Sequence, residues 1–229
     1  MVAHESFIVE PELRYTIEEY LGMERVAEER HEYLDGFLIE MAGESGEHGD
    51  ISSNLVMIVG TQLRGTPCRA RTKDTKVRSG PMPVNFQSKK GLFSYPDLVV
   101  IRGDPQYLDR FRDVITNPSV IIEVLSESTA NFDRGQKFFR YSNWNPTLSD
   151  YVLVSQHIPF VEIFSRQADG SWNFRHVFGL ECSLRIPSIQ CTLNLTEVYD
   201  RIVFPIVPIL EDDAESDEET DALGQAEHS

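Results

Sequence analysis

A chain of 229 residues, 41% hydrophobic and 10% aromatic, can bury one sizeable core, and 37 acidic against 21 basic residues give it a formal charge of −16. No run approaches the roughly 20 uncharged apolar residues of a membrane span. No basic start leads into an apolar stretch as in a secretion signal, and three cysteines without CxxC spacing make no zinc site and read as reduced. The expectation is a cytoplasmic domain of no membrane association.

The charge is unevenly spread. Glu211 to Ser229 holds nine acidic and no basic residues, so the preceding part carries only −7. Such a segment buries too little apolar surface to offset its ordering entropy. A disordered acidic tail over 208–229 is predicted, with a flexible start over 1–12 and one folded domain over 13–207. The mild acidity of that domain argues against a broad duplex-binding surface and leaves room for a local basic groove.

In chain order, Thr16-Ile17-Glu18-Glu19 has the S/T-x-x-E pattern of a capping box and predicts a short helix to about Glu29. Asp35-Gly36, between Glu32-Tyr33-Leu34 and Phe37-Leu38-Ile39, predicts a tight hairpin. Ile51, Leu55, Ile58, Val59 and Leu63 recur at helical spacing over about four turns. Short strands are expected at 68–71 and 75–78, followed by an irregular loop from Ser79 to Gly91. Leu98–Ile101 and Val120–Ile122 read as buried central strands, and helical spacing resumes from Asp133 to Tyr141. Strands at 151–154 and 160–164, a second turn at Asp169-Gly170, alternation from Trp172 to Phe178 and a last helix from Thr196 to about Ile202 complete the chain. The fold class is α/β or α+β with a mixed sheet, and the alternating aromatic strand offers a face for a homodimer.

Two carboxylates stand where apolar strands ought to reject them. Asp97 follows Tyr95-Pro96 at a strand entry, and Glu123 interrupts Val120-Ile121-Ile122-Glu123-Val124-Leu125. An ionised carboxylate buried without a partner costs several kcal/mol, so each needs a cation or a salt bridge, for Glu123 to an arginine such as Arg71. On neighbouring strands the two would converge on one point with the hard oxygen ligands that suit Mg²⁺. Asp133, Lys137 and Tyr141 share one face of the helix that follows, where Lys137 can turn its ammonium toward the carboxylates or simply pair with Asp133. His48, at a helix start, reads as a hydrogen-bonded structural histidine. Ser126, Ser128 and Thr129 read as helix caps rather than nucleophiles. Arg69, Arg71, Lys73, Lys76 and Arg78 form a basic run whose alternate members would share a strand face.

This succession resembles the Uma-two family of restriction-endonuclease-like proteins, within the PD-(D/E)XK nuclease superfamily. The motifs that carry the resemblance are Tyr95-Pro96-Asp97, Ile122-Glu123-Val124-Leu125-Ser126-x-Ser128-Thr129 and Asp133-x-x-x-Lys137-x-x-x-Tyr141. Glu32-x-x-Asp35-Gly36, Met41-Ala42-Gly43-x-Ser45-x-x-His48 and Asn117-Pro118 belong to the same pattern, which runs from about Tyr15 to about Arg166. The resemblance implies a restriction-endonuclease-like fold, with a four-stranded mixed sheet flanked by helices. It also implies Mg²⁺- or Mn²⁺-dependent cleavage of DNA phosphodiesters, with Glu32, Asp97 and Glu123 as metal residues. Leu125 stands where the superfamily has lysine, which leaves either Lys137 in that role or an inactive nuclease fold serving as an interaction module.

Overall fold

The computed structural model describes residues 14–41, 43–83, 85–127 and 129–204; the expected flexible start and acidic tail lie outside them. Thr16 caps helix α1 (Ile17–Glu24), its hydroxyl accepting from Glu19 N–H at 3.2 Å while a Glu19 carboxylate oxygen accepts from Thr16 N–H at 2.7 Å. The helix stops earlier than its sequence suggests. Arg25 N–H turns back to the carbonyls of Leu21 and Met23, and its guanidinium is taken by Asp109 and Asp113.

Strands β1 (His31–Leu34) and β2 (Phe37–Glu40) form the predicted hairpin, with Asp35 and Gly36 at φ +48° and +101°. A side chain at 36 would be strained by that φ and pressed against Arg14. Ser45 caps helix α2 (Gly46–Gln62), which leads to β3 (Cys68–Thr72), β4 (Lys76–Ser79) and the loop of 80–91. Then come β5 (Leu92–Ser94), β6 (Leu98–Arg102), β7 (Val114–Ile115) and β8 (Val120–Leu125).

A helical segment follows in three parts: α3 (Ala130–Phe132), a π turn (Asp133–Lys137) and α4 (Phe138–Trp144). The last elements are β9 (Asp150–Ser155), β10 (Phe160–Arg166), β11 (Trp172–Phe178), the hairpin β12 (Ser183–Ile186) and β13 (Cys191–Asn194), and helix α5 (Leu195–Val198).

The strands make a six-stranded sheet in the order β11-β10-β9-β8-β6-β3, a five-stranded sheet in the order β2-β1-β5-β4-β7 and the separate β12–β13 pair. In the larger sheet only β8 and β9 run parallel; its other neighbours are antiparallel. The layers therefore hold more than the four strands that the resemblance implies, because the amino-terminal hairpin pairs with β5 and builds a second sheet.

The period-2 alternation of the central strands sorts their side chains between two cores. Leu98, Val100, Val120, Ile122 and Val124 pack with Ile51, Leu55 and Val59 of α2 and with Leu193 and Val198. Burying each such aliphatic chain contributes about 1.5–3 kcal/mol. Val99, Ile101, Ile121 and Leu125 face the other way, toward Tyr141, Tyr151 and the second sheet's Val77 and Leu92. Glu123 belongs by parity to this second face. A third cluster, Ile17, Tyr20, Tyr33 and Phe93, seats α1 on the smaller sheet.

The basic run divides at the turn after β3. Arg69 and Arg71 are exposed on that edge strand, whereas Lys76 and Arg78 on β4 are buried. Lys76 pairs with Asp113 at 3.2 Å. Arg78 donates to the carbonyls of Gly80 and Pro81, has no acidic partner among the described residues, and burial pushes its pKa down to about 10.

Candidate active site

The chain passes from the smaller sheet to the larger one through Tyr95-Pro96-Asp97, between β5 and β6. Proline has no N–H to pair and fixes the bend, so Asp97 emerges at the start of β6. Leu98 is registered against Ile122 of β8, and one Asp97 oxygen accepts the Val124 N–H at 2.7 Å. The Asp97 carboxylate thus rests on the backbone of the residue after Glu123. Its other oxygen lies 2.8 Å from His48 Nε2 and accepts from the Ser52 hydroxyl at 3.2 Å. His48 is therefore hydrogen-bonded, as read from the sequence, and its partner is the motif aspartate.

Glu123 points into the opposite layer. Its charge is met by Lys137, not by Arg71: Lys137 Nζ lies 3.4 Å from Glu123, 3.0 Å from Glu32 and 3.0 Å from Asp133. The lysine and the three carboxylates are all buried. They arrive from three parts of the fold: Glu32 on β1 of the smaller sheet, Glu123 on β8 of the larger one, and Asp133 and Lys137 on the π turn.

That turn is marked by a Phe138 N–H that donates to Asp133 O, five residues back, while the Tyr151 hydroxyl donates to the same carbonyl at 3.1 Å. π turns concentrate at functional sites. The predicted face of Asp133, Lys137 and Tyr141 is kept, all three being buried, and the Tyr141 hydroxyl meets Ser94 Oγ at 2.5 Å. Glu32 also accepts the Tyr95 N–H at 3.3 Å, which ties the hairpin to the crossover. Asp35 accepts Arg140 Nη2 at 2.5 Å and the Gly91 N–H at 2.9 Å, pinning the same hairpin to α4.

The electrostatics follow from three acids around one ammonium in a buried layer. Burial pushes the Glu123 carboxyl well above the usual range; Lys137 pulls it down, and Asp133, Asp97 and Glu32 push it further up. Burial disfavours the Lys137 ammonium, but Glu123, Glu32 and Asp133 outweigh it and hold its pKa well above the ordinary value. His48 is also raised: burial opposes its charge, and the hydrogen bond and charge of Asp97 prevail.

The structure thus brings Glu32, Glu123 and Lys137 into direct contact and sets Asp97 on the adjoining strand among α2 residues. Sequence reading missed Asp133 as a third buried acid, since an i, i+4 pair with lysine is usually a solvated surface feature. It also missed Glu44. Among the described residues, Glu44, His48 and Asp97 form a group of possible metal ligands with donor atoms within 4.8 Å of one another. The signal was Glu44 and His48 spaced i, i+4 across the Ser45 cap. Of the expected caps, Ser126 accepts the Thr129 N–H at 3.2 Å, and Ser128 lies outside the described residues. Leu125 shares the face of Glu123 as a core residue.

Comparison with known proteins places the chain. Residues 17–196 match a family model described as "Uma2: Putative restriction endonuclease". An uncharacterized protein of Synechocystis sp. is 34% identical over 205 residues, spanning 89% of this chain and all of its own length. A second from the same organism is 31% identical over 164 residues, covering 72% of this chain and 88% of that protein. Among solved structures, a crystal structure described as a "putative nuclease belonging to DUF820" from Anabaena variabilis superposes with a TM-score of 0.65. It has 15% sequence identity and covers 82% of this chain and 99% of that one. The central sheet, the helices on its faces and the matched segment agree: the chain belongs to the Uma2 family of restriction-endonuclease-like proteins.

Proposed function

We propose that the protein is a divalent-metal-dependent nuclease that hydrolyses DNA phosphodiester bonds, with Asp97, Glu123 and Glu32 as the ion's carboxylate residues and Lys137 beside them. The observation that carries this reading is the buried surplus of negative charge: Glu32, Glu123 and Asp133 share one ammonium, and Asp97 stands on the next strand. A protein interior tolerates such a surplus only with protons or a further cation. The donors are hard oxygens, which fit Mg²⁺ or Mn²⁺. A bound divalent ion would supply Lewis acidity and a more acidic water.

The chain's own groups would do the rest. Lys137, reaching Glu123 from the helical segment that follows, would stand in for the lysine that Leu125 replaces and would hold a water or phosphate oxygen against the carboxylates. Arg69 and Arg71 project from the edge strand β3, whose last residue, Thr72, is registered beside Leu98. Exposed on that strand, they would offer phosphate contacts that position a nucleic-acid strand without reading its sequence. No helix among the described residues is long and apolar enough to cross a membrane. The cytoplasm is the compartment that free Cys68, Cys182 and Cys191 favour.

Nicking of supercoiled plasmid with Mg²⁺ or Mn²⁺ tests the reading. Wild type is expected to nick, and Asp97→Ala and Glu123→Ala are expected to fail. Equal activity in all three, or none in any, would instead favour a nuclease fold kept as a non-catalytic scaffold.

A homodimer belongs to the same proposal. Strand β11 is an edge of the larger sheet, with Phe174 and Phe178 exposed and rows of rings joining Phe164, Phe174, His176 and Phe160. Light scattering should return twice the 26.1 kDa chain mass; a monomer mass at all concentrations ends the idea.

A further inference from the structure

We infer that a divalent ion is held on the α2 side of Asp97, with His48 and Glu44 as its further direct ligands, so that this site takes Mn²⁺ in preference to Mg²⁺. The inference rests on the metal-dependent reading above and deepens it, since the resemblance supplies carboxylates only and no nitrogen ligand. Donor atoms of the three side chains lie within 4.8 Å of one another, and His48 Nε2 is 2.8 Å from Asp97 Oδ1. Bonds of roughly 2.1 Å meeting near right angles hold neighbouring ligand atoms about 3 Å apart, so that pair already stands at coordination spacing.

The arrangement is built from two rigid pieces. Ser45 Oγ accepts the His48 N–H at 3.2 Å and fixes the first turn of α2, with Glu44 just before the cap and His48 one turn inside. Asp97 is held from behind by the Val124 N–H and the Ser52 hydroxyl, the kind of outer support that orients ligands at metal centres. His48 and Asp97 keep 15% and 11% of their side-chain surface exposed and Glu44 keeps 36%, so the group opens to solvent on the Glu44 side. Lys73 pairs with Glu44 from a side chain 40% exposed. A surface ammonium on a flexible stem gives way to a divalent ion.

Imidazole nitrogen is what sets the preference. Mg²⁺ favours oxygen ligands and retained water, whereas nitrogen donors gain affinity along the first-row metals from Mn²⁺ onward. Without an ion, the same residues make a hydrogen bond that fastens α2 to β6, and experiment separates the two roles.

Full-length protein would be titrated with Mn²⁺ by electron paramagnetic resonance, and the bound ion examined by pulsed methods for coupling to a coordinated imidazole ¹⁴N. Wild type is expected to show that coupling and to bind Mn²⁺ roughly tenfold or more tighter than Mg²⁺ in competition. His48→Gln should lose the coupling and weaken Mn²⁺ about tenfold or more, leaving Mg²⁺ nearly unchanged. Glu44→Gln, at a surface position that cannot unfold the domain, should weaken Mn²⁺ while retaining the coupling. No nitrogen coupling in wild type, or unchanged Mn²⁺ affinity in both variants, overturns the assignment. If that happens while nicking still depends on Asp97, the ligand set falls and the nuclease reading stands. Coupling in a chain that never nicks DNA supports the ligand set and removes only the nuclease reading.

Discussion

Lys137→Met is expected to lower stability in urea unfolding at pH 8 by about 3–5 kcal/mol, the range for removing one partner of a buried ionic group. Glu32, Glu123 and Asp133 lie within 3.4 Å of Nζ, and their buried carboxyl groups would be left without the ammonium that they share. The pH dependence has a definite sign. The folded-state pKa of Lys137 is raised, so its contribution is full below the ordinary lysine range and fades only as pH rises through the folded value. Across neutral pH wild type therefore keeps all of it. Without the ammonium the Glu123 carboxyl, already raised by burial, rises further, so the variant's deficit should shrink as pH falls. Adding Asp133→Asn should restore part of the loss, since neighbours in one network couple. A deficit under about 1 kcal/mol would mean that the cluster is hydrated and behaves as a surface ion pair.

Glu123→Gln should separate stability from activity. Nicking is expected to fall by roughly 10²–10³ or more, the loss that follows removal of one preorganised charge-stabilising group. Stability should move the other way. Because burial raises the Glu123 pKa, the carboxyl's contribution is present below its unfolded value near 4.5 and is lost as pH rises toward the folded value. Glutamine carries no charge to desolvate, so the variant should match wild type at pH 4 and exceed it increasingly at pH 7 and above. Parallel melts of both proteins from pH 4 to 9 measure this. A variant that loses stability at neutral pH would show that the ionised Glu123–Lys137 contact outweighs the burial penalty.

Local chemistry was legible in the sequence wherever one short segment decides it. Thr16 with Glu19, Asp35-Gly36 and the aliphatic repeat of α2 each carry their own geometry, and each is realised. The motif order identified Asp97, Glu123 and Lys137 as residues to watch, because acids within apolar strands demand a partner. What stayed hidden depends on which strands become neighbours. Nothing local tells that β1 and β5 pair in a second sheet, so neither that sheet nor the direction of approach of Glu32 could be read. Asp133 looked like an ordinary helix surface residue because an extra residue in the turn and the Tyr151 hydroxyl are tertiary effects. Lys76 and Arg78 looked like Arg69 and Arg71, yet β4 lies inside its sheet while β3 lies at an edge. That difference turns Lys76 and Arg78 of the basic run into internal structure.

The smaller sheet contributes one acid to the cluster and the larger sheet another, with the lysine on a turn between layers. During synthesis the hairpin bearing Glu32 emerges about a hundred residues before Lys137. Until the later segment arrives, that acid has nothing to neutralise it and stays in water. The charge cluster is thus a product of tertiary closure: its acids and its lysine meet only when the two layers come together.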